Sequence, residues 1–453
     1  MMNESSFSRL SGQKKSSLLA VLSLLLLAAC GGGGGGPSVT GGGGGSGSGF
    51  GGDRGPIGTP QARLTDAQIG ALGQRSIEWT GTAPVGDGAF TVASVPMPYI
   101  ELEDTNARAA WKQGWTGKGQ TIAIIDDFSS AHQIHNGAKI AWSDVPVDFS
   151  DGRATEKASF YFERTVTHGE LVAAIAGGEH SLVPPGSVLV QAPPALTCAD
   201  TGCFTGDVTL SGTAPSFGVA KDAVITEVSV NLGNRQDPAA TLNDILKAVE
   251  KHHDKAAINL SLSGPVPSGL SSFAAVAADF AARGHITSKS DAVIVVALGN
   301  NGRSCSENAM TGGNCNRIGV AFTHMEQLKD STILAGALNS SGNGLAAYSN
   351  QPGDLQEWVL LAHDTASFSG LNQGEKQGTS FAAPRIAGAA AILRHNWPQL
   401  SGAAAAAILL KSANKDMDGD GEPDFSGSSP VYGQGKLDLM EALSPDEEED
   451  PLN

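Results

Sequence analysis

The stretch Gly378-Thr379-Ser380-Phe381-Ala382-Ala383-Pro384 places a serine between a Gly-Thr turn and an alanine-rich run. Residues 381–393 predict a helix, with Pro384 in its first turn, where a missing N–H is tolerated. A hydroxyl at a helix N-terminus meets unpaired backbone N–H groups and the positive end of the helix dipole. Negative charge that develops in acyl transfer would therefore be stabilised next to Ser380. The other interpretation is an ordinary N-capped core helix.

Two further segments carry the other groups that acyl transfer needs. Thr121-Ile122-Ala123-Ile124-Ile125-Asp126-Asp127 predicts a buried parallel strand with a carboxylate at its C-terminal end. Val166-Thr167-His168-Gly169 places a histidine, the usual general base, at the start of a helix of small residues. Each has an ordinary structural interpretation when taken singly. In the order Asp, His, Ser, they indicate a catalytic triad, with Asp126 favoured over Asp127 by its position after the apolar run.

Two more segments complete a resemblance to the subtilase family of serine proteases, which runs from about residue 111 to residue 443. Ile258-Asn259-Leu260-Ser261-Leu262-Ser263-Gly264 resembles the family's substrate-lining strand, and residues 294–302 resemble the segment that carries its oxyanion-hole asparagine. The resemblance implies Ser380 as nucleophile and His168 as base. It implies Asp126 as the residue that orients the base and Asn300 as the oxyanion donor. The substrate-binding residues that it implies are Leu262, Ser263, Gly264, Ala297, Leu298 and Gly299.

The pattern of apolar runs agrees with this family in fold class. Strand-like runs at 121–126, 223–230, 256–262 and 292–298 alternate with helical patterns such as 240–252 and 273–283. We therefore expect an α/β fold: a subtilisin-like doubly wound, mostly parallel sheet with helices on both faces. Residues 180–216, rich in Pro and Gly, predict a surface insertion between the histidine helix and the next strand.

Two positions depart from the family pattern without removing a catalytic atom. Phe128 stands where the family usually has glycine, two positions after the aspartate. Glu170 stands where it usually has Thr or Ser, two positions after the histidine. A carboxylate there would raise the pKa of His168 or favour basic substrate groups. A sedolisin-type enzyme lacks this histidine and has an aspartate in the oxyanion hole, so His168 and Asn300 argue against that family.

The N-terminus predicts export and a lipid anchor. Lys14 and Lys15 precede an apolar core, residues 18–27, that suits a signal peptide and is short for a membrane span. The ending Leu27-Ala28-Ala29-Cys30 resembles a bacterial lipoprotein box, in which Cys30 is lipidated. The alternative is ordinary secretion with a free thiol. The serine-protease domain, this lipoprotein box and the glycine-rich sequence after it together resemble the passenger region of certain bacterial autotransporter proteases.

The chain divides into five segments on this interpretation. Residues 1–29 form the signal peptide, 30–58 a glycine-rich flexible tether and 59–100 an N-terminal extension of uncertain structure. The catalytic domain covers residues 101–443, and an acidic disordered tail covers 444–453. The formal charge of −17 argues against nucleic-acid binding, which requires a basic face.

Cysteines and acids suggest two stabilising features outside the triad. With Cys30 set aside, an even number of cysteines in an exported chain predicts disulfides, among which local pairing is favoured over the two other connectivities. These cysteines are Cys198, Cys203, Cys305 and Cys315. Near the C-terminus, acids at spacing 1, 3, 5 and 9 suit calcium, although a solvated acidic turn explains them equally well. The acids are Asp416, Asp418, Asp420 and Asp424.

The sequence as a whole predicts an exported, lipid-anchored serine endopeptidase at the bacterial cell envelope. We expect it to act as a monomer on protein or peptide substrates and to need no cofactor for its chemistry, with calcium in a structural role only. One alternative is an inactive subtilase-fold surface lipoprotein that acts as a binding or adhesion module. A second is a metal-dependent structural surface protein built around the acidic loop. Filled catalytic positions at Asp126, His168, Ser380 and Asn300 favour the enzyme.

Overall fold

The computed structural model describes residues 57–72, 76–82, 89–96, 105–126, 128, 146–147, 168–181, 188–189, 208–211, 215–230, 238–310, 313–367 and 375–444. Cys30, Cys198, Cys203 and Asp127 lie outside the described residues, as do the predicted signal peptide and the tail from residue 445. The side chain of Glu170 is also outside the description.

Helices and strands alternate through most of the described residues. The helices are α1 (Asp66–Leu72), α2 (Ala107–Gln113), α3 (His168–Ala176), α4 (Pro238–Lys251), α5 (Phe273–Ala281), α6 (Arg317–His324), α7 (Thr379–Asn396), α8 (Gly402–Lys411) and α9 (Leu439–Leu443). Short 3₁₀ turns occur at Glu307–Ala309, Lys329–Ser331 and Gly353–Trp358. The strands are β1 (Ser76–Thr82), β2 (Ala89–Pro96), β3 (Thr121–Asp126), β4 (Pro146–Val147), β5 (Glu179–Ser181), β6 (Val188–Leu189), β7 (Val208–Ser211), β8 (Pro215–Phe217), β9 (Val224–Ser229), β10 (Ala257–Leu260), β11 (Val293–Ala297), β12 (Thr332–Leu338), β13 (Val359–His363), β14 (Thr365–Ser367) and β15 (Glu375–Gln377).

Seven strands form the central sheet in the order β13-β12-β11-β10-β3-β9-β4. All neighbouring pairs are parallel except β4 with β9 at one edge, which is antiparallel. The predicted strands 121–126, 223–230, 256–262 and 292–298 correspond to β3, β9, β10 and β11, which are neighbours in this sheet. Their parallel arrangement brings the C-terminal ends of the strands to one edge, where α/β proteins place their ligands.

Apolar side chains of each strand point alternately to two cores, one on each face of the sheet. In β3, Ile122 and Ile124 belong to a core shared with α2, α3, α7, α8 and α9. Ala123 and Ile125 belong to a second core, shared with α4, α5 and α6. Because both faces are covered, the strands read as continuous apolar runs. The expected doubly wound, mostly parallel sheet with helices on both faces is confirmed.

Helix α7 runs through the first core, and every residue in it except Ser380 is buried. Its small side chains allow this: a Cβ on Gly388 would lie 2.4 Å from the carbonyl oxygen of Ala176 and 2.6 Å from the Cβ of Val219. Such contacts are closer than real Cβ atoms make, so the helix can approach α3 only with glycine there. The packing of α7 therefore fixes Ser380 relative to α3, which begins at His168.

Segments from the N-terminal extension join the rest of the chain through backbone hydrogen bonds. Strands β1 and β2 form a hairpin, and β1 also pairs with β7 from the predicted insertion. The N–H of Gly58 donates to the carbonyl oxygen of Asn396 at 2.6 Å, and that of Gln61 to Gly114 at 2.9 Å. Across the described residues, no helix combines the length and apolar character needed to cross a membrane.

Candidate active site

Asp126 and His168 form a hydrogen-bonded pair at the C-terminal edge of the sheet. Asp126 is the last residue of β3 and is fully buried, and its Oδ1 lies 2.8 Å from Nδ1 of His168. The His168 side chain is 40% exposed. A carboxylate only accepts, so Nδ1 of the ring carries the proton in this contact. The neutral tautomer that results leaves Nε2 as the basic nitrogen, which is the arrangement a general base needs.

Ser380 lies in the first turn of α7, and the residue that follows it packs near the histidine. The ring of the following residue, Phe381, has its centroid 5.7 Å from that of His168. Ser380 is partly exposed, whereas Thr379 before it and Phe381 after it are buried. Because the helix N-terminus carries unpaired N–H groups, the Ser380 hydroxyl stands where negative charge is stabilised. The structure thus brings the three sequence-predicted triad residues to one edge of the sheet.

Ser380 also exchanges two hydrogen bonds with Ser261, which follows β10. The Ser380 hydroxyl donates to the Ser261 carbonyl oxygen at 3.2 Å, and the Ser261 hydroxyl donates to the Ser380 carbonyl oxygen at 2.6 Å. The buried amide of Asn259 donates in turn to the Ser261 hydroxyl at 2.9 Å. These bonds anchor the first turn of the serine helix to the strand whose extension was predicted to line the substrate site.

Thr379 determines which way the Asn300 amide points. The backbone N–H of Thr379 and its hydroxyl donate to Oδ1 of Asn300, at 3.0 and 2.9 Å. The same hydroxyl accepts from the N–H of Gly299 at 3.2 Å. An N–H group can only donate, so the amide oxygen must be the atom that faces Thr379. The NH₂ group of Asn300 is therefore held on the opposite side of the amide and remains a donor for another partner.

Gly378 lies beside this donor. A Cβ on Gly378 would lie 3.4 Å from Nδ2 of Asn300 and 3.8 Å from the backbone nitrogen of Ser380. The nitrogen atoms of two donor groups, Nδ2 of Asn300 and the backbone N of Ser380, therefore lie close to the same point beside Gly378. An oxyanion hole requires two such donors aimed at the place where the oxyanion develops. The geometry suits the stabilisation of a tetrahedral intermediate.

Two chain segments border the site from the sheet side, and one buried asparagine joins them. Asn316, 3% exposed, donates to the carbonyl oxygens of Leu262 and Ala297 at 2.8 and 2.5 Å and accepts from the N–H of Gly264 at 3.4 Å. Segments 262–264 and 297–299 contain the predicted substrate-binding residues. The structure brings these two segments together; Leu262, Ala297, Leu298 and Gly299 are buried, whereas Ser263 is exposed and Gly264 partly exposed.

The local disulfide Cys305–Cys315 is present in the structure, as its sequence proximity predicts. Both cysteines are buried in the second core. The bridge closes the loop that precedes Asn316, and it therefore restrains the segment from which that asparagine reaches the site. The other predicted pair, Cys198 with Cys203, lies outside the described residues and stays a prediction.

Three of the four predicted calcium ligands come together near the C-terminus. Carboxylate oxygens of Asp416, Asp418 and Asp420 lie within 4.8 Å of one another, whereas Asp424 does not belong to this group. Its Oδ2 instead accepts the N–H groups of Met417 and Asp418, at 2.6 and 3.3 Å, and so closes the turn. Desolvation acts to raise the pKa of Asp416, but hydrogen bonds from the N–H groups of Gly421 and Gly419 outweigh it and the pKa is lowered. Ionised carboxylates of this kind are the ligands that calcium prefers.

Sequence reasoning missed the residues that hold the functional groups in place. The sequence indicated Thr379 only as part of the serine motif and Ser261 only as part of a strand. It gave no prediction for Asn316 or Asn350. Each acts through a partner that is distant in sequence; Thr379 and Asn300, for example, are 79 positions apart. Asn316 does carry a local signal, because it is the N-cap of α6 and its side chain accepts from the N–H of Ile318.

The hydrogen-bonded Asp126–His168 pair, the partly exposed Ser380 at a helix N-terminus and the Asn300 amide are thus carried by elements of one doubly wound sheet. A sequence model described as the subtilase family matches residues 117–435. The chain belongs to the subtilase family and is a serine protease.

Individual relatives agree with this family at low identity. Mycosin-3 of Mycobacterium tuberculosis is 26% identical over 429 residues, which cover 87% of this chain and 78% of that protein. Subtilisin of Bacillus pumilus is 27% identical over 350 residues, 76% of this chain and 98% of the relative. Subtilisin E of Bacillus subtilis is 27% identical over 352 residues, 76% of this chain and 71% of the relative.

Two solved structures are also similar. The MycP3 protease from the type VII (ESX-3) secretion system shares 19% identity with a TM-score of 0.45, covering 86% of this chain and 97% of its own. The prenylagaramide maturation protease PagA shares 18% identity with a TM-score of 0.42, covering 75% of this chain and 98% of its own.

Proposed function

We propose that this protein is an exported, lipid-anchored endopeptidase that cleaves peptide bonds through Asp126, His168 and Ser380. The observation that carries the mechanism is the 2.8 Å contact between Oδ1 of Asp126 and Nδ1 of His168. The contact joins a buried carboxylate to a partly exposed imidazole across 42 residues of sequence. A purely structural role would not explain this buried carboxylate, because burial of a charge is unfavourable.

The chemistry begins when the hydroxyl proton of Ser380 moves to Nε2 of His168. The serine oxygen attacks the carbonyl carbon of the scissile peptide bond, and the carbonyl oxygen becomes an oxyanion. Asn300 Nδ2 and the backbone N–H of Ser380 donate to this oxygen. His168 then gives its proton to the leaving amine, and an acyl-enzyme remains on Ser380. Water hydrolyses the ester with His168 again acting as base.

Asp126 has an electrostatic and an orienting role. It holds the imidazole in the tautomer that keeps Nε2 basic, and it stabilises the imidazolium formed in each half-reaction. Its burial makes the interaction strong, because a low dielectric increases the attraction between the two charges. Phe381 packs on the same ring and limits its rotation.

The Ser380 hydroxyl must change partner before attack. Its proton is directed at the Ser261 carbonyl oxygen, 3.2 Å away, and has to turn towards His168. The bond to Ser261 is long for a hydroxyl donor, so it offers little resistance to this rotation. Because the Ser261 hydroxyl still holds the Ser380 carbonyl at 2.6 Å, the backbone stays in place while the side chain turns.

A fluorophosphonate probe, which phosphonylates an activated serine, tests the assignment of the nucleophile. We expect labelling of the purified protein, none with Ser380→Ala, and strongly slowed labelling with His168→Ala. Ser341→Ala, at an exposed serine in a turn, is the matched control and should label like the original chain. An unlabelled but folded protein would favour the surface-lipoprotein alternative, and labelling that survives Ser380→Ala would contradict the proposed triad.

The site of action follows from the N-terminus rather than from the catalytic domain. We place the enzyme at the cell envelope, held by a lipid on Cys30, with the glycine-rich tether of residues 30–58 between the lipid and the catalytic domain. In this arrangement a monomer reaches protein or peptide substrates near the membrane surface. The alternative, release as a soluble enzyme, differs only in the chemistry at Cys30.

A further inference from the structure

Asn350 is a fully buried asparagine directly behind the turn that carries Asn300. It follows β12 in the segment Tyr348-Ser349-Asn350, and it is 0% exposed. Its backbone N–H donates to the carbonyl oxygen of Gly299 at 2.9 Å. A buried amide without hydrogen bonds is unfavourable by several kcal/mol, so the contacts of this side chain indicate what it is there to hold.

The Asn350 amide makes four hydrogen bonds, the number that a carboxamide with two lone pairs and two N–H groups can make. Its oxygen accepts from the N–H groups of Asn301 and Arg303, at 3.0 and 3.5 Å. Its nitrogen donates to the carbonyl oxygens of Leu298 and Gly313, at 3.3 and 3.0 Å. Three of the four partners belong to the turn 298–303, on both sides of Asn300.

The turn itself needs support from outside. At Gly299 the backbone leaves strand β11 with φ +113°, a conformation that favours glycine. A Cβ at Gly299 would lie 2.6 Å from Nδ2 of Asn350, so the asparagine occupies the space that a side chain would need. Beyond the end of β11, the Asn350 side chain thus provides hydrogen bonds to the backbone that a neighbouring strand would otherwise provide. These bonds are to residues on both sides of Asn300.

A second contact ties the same turn to the disulfide loop. The Asn301 side chain donates to the Gly313 carbonyl oxygen at 2.8 Å, and Asn350 Nδ2 donates to that oxygen as well. Gly313 lies between Cys305 and Cys315, which the disulfide joins. The turn, Asn350 and the disulfide loop therefore meet at a single carbonyl oxygen.

From these contacts we infer that Asn350 is a positioning residue for the oxyanion hole: it holds the turn 298–303 so that the Asn300 amide is aimed at the developing oxyanion. The inference rests on the proposed role of Asn300. An oxyanion donor acts within about 2.7–3.1 Å of its target, so a small displacement of the turn weakens transition-state stabilisation. Thr379 fixes the rotation of the amide, and Asn350 fixes the backbone from which the amide extends.

A double-mutant cycle separates this role from a purely structural one. Asn350→Ala is made in the natural chain and in the Asn300→Ala background, and kcat and KM for a chromogenic peptide are measured together with the melting temperature. Alanine leaves room for a water molecule to bind the backbone N–H and carbonyl groups that lose the Asn350 side chain as their partner. Asn350→Ser, which keeps one donor and one acceptor, is carried through the same cycle. Asn343→Ala, at an exposed asparagine of the same segment, is the control.

We expect Asn350→Ala to lower kcat by about tenfold or more with KM changed less than about twofold, because only transition-state stabilisation is lost. In the Asn300→Ala background the same substitution should change kcat by less than about twofold, since residues that act through one another are not additive. Asn350→Ser should give a smaller loss, and Asn343→Ala none.

Equal loss of kcat in both backgrounds would overturn the inference, and so would an unchanged kcat in folded Asn350→Ala. If neither Asn350→Ala nor Asn350→Ser folds, Asn350 is a residue of the fold alone and the inference is wrong. The proposed function has its own readout in the same experiment: an Asn300→Ala variant with undiminished kcat contradicts the oxyanion role itself. If Asn300→Ala lowers kcat and the effect of Asn350→Ala on kcat is the same in both backgrounds, only the positioning role of Asn350 is contradicted.

Discussion

Ser380 is partly exposed at the start of a helix in which every other residue is buried. The side chains before and after it are buried in the core, so the helix can move only as a body. Its carbonyl is held by Ser261, and its N–H and that of Thr379 lie beside Asn300. The Ser380 hydroxyl thus stands on a backbone that hydrogen bonds to Ser261 and Asn300 restrain, and such preorganisation is what electrostatic catalysis requires.

Gly378 borders the proposed oxyanion site, and Gly378→Ala should lower kcat by about tenfold or more while KM changes little. The added Cβ would lie 3.4 Å from Nδ2 of Asn300 and 3.8 Å from the Ser380 nitrogen, where the oxyanion needs room. Loss of an entire oxyanion donor lowers kcat by about 10²–10³, a magnitude known from subtilisin, a relative of this chain. Steady-state kinetics and thermal melting measure the effect.

Stability should be retained in this variant. Gly378 has an extended backbone, φ 161° and ψ 153°, which alanine also adopts, and the new contacts are of ordinary van der Waals length. Gly269→Ala is the matched control, since a Cβ there meets nothing within 4 Å. A Gly378→Ala enzyme with normal kcat would place the oxyanion elsewhere.

Phe128, the departure from the family pattern after the aspartate, is accommodated by the glycine that follows the histidine. Phe128 is 1% exposed, and a Cβ on Gly169 would lie 2.8–3.0 Å from its ring atoms. The aromatic ring therefore packs against the backbone of α3 directly after His168. The bulky residue reinforces the position of the catalytic helix instead of blocking it.

At the scale of helices and strands, the sequence was most informative where an apolar run is bounded by a polar residue. The strand ending at Asp126 and the helix beginning at His168 were predicted because the change in polarity marks the element end. Strands β12 and β13 were not predicted. β12 has the sequence TILAGAL and is buried on both faces, so it shows no alternation that would separate it from a helix of small residues.

The candidate site was predictable to the extent that its chemistry is local. Ser380 and its helix, Asp126 and its strand, and Asn300 and its turn each lie in one short segment. The orienting contacts of Thr379, Asn316 and Asn350 join segments between 19 and 80 residues apart. Which segments meet depends on the order of strands in the sheet, and a single sequence carries little information about that order.

The acidic loop near the C-terminus is an element for which calcium binding stays a prediction. Carboxylates of Asp416, Asp418 and Asp420 repel one another until a cation neutralises them, so calcium should raise the melting temperature. The ligand set lacks a bidentate acid, which suggests a Kd of roughly 10⁻⁴–10⁻³ M. Calcium at about 100 times Kd would stabilise the folded state by about 2.7 kcal/mol.

Differential scanning fluorimetry with and without calcium measures this shift. Asp418→Asn and Asp420→Asn should abolish it, whereas Glu422→Gln, at an exposed acid of the same loop outside the carboxylate cluster, should leave it intact. A calcium shift of equal size in all three variants would locate binding elsewhere. The absence of any shift would favour the solvated acidic turn.

For the molecule as a whole, we expect a lipid on Cys30 to attach the protein to a membrane. The formal charge of −17 gives no attraction to anionic lipid, so acyl chains must supply the free energy, about 0.8 kcal/mol for each buried methylene. Cys30→Ser should block processing or release soluble enzyme with unchanged kcat in detergent. Intact-mass analysis of the membrane fraction checks this: a mature chain that begins at Cys30 without added lipid mass would contradict the anchor.

Two buried histidines, His252 and His395, should make the stability of the domain depend on pH. Burial lowers the pKa of His252, and the positive charges of Lys251 and Lys255 lower it further, against the opposing effect of Asp254. Neither ring nitrogen of His252 has a hydrogen-bond partner among the described residues. Burial also lowers the pKa of His395, although its hydrogen bond to the Thr59 carbonyl opposes this.

His395 joins the N-terminal segment to the end of the serine helix, and it can do so only when neutral. Its Nδ1 accepts from the N–H of Thr116 at 3.2 Å, and its Nε2 donates to the carbonyl oxygen of Thr59 at 3.1 Å. If Nδ1 were protonated, its N–H would face the N–H of Thr116, and two donors cannot form a hydrogen bond. The charges that act on this ring are Asp222, which raises its pKa, and Lys118, which lowers it. Acid should therefore weaken the contact that holds residues 57–61.

The free energy of unfolding should fall as the pH decreases from about 6.5, the ordinary pKa of histidine. In that range the unfolded chain binds protons that the folded chain, with its lowered histidine pKa values, does not, so protonation favours unfolding. Urea titrations between pH 8 and 5 measure the slope. His252→Leu should reduce it, because a leucine there has no proton to bind, whereas His253→Leu, at the less buried neighbour, is the control. If His252→Leu leaves the slope of the natural chain unchanged, His252 is not one of the groups that cause the loss of stability in acid.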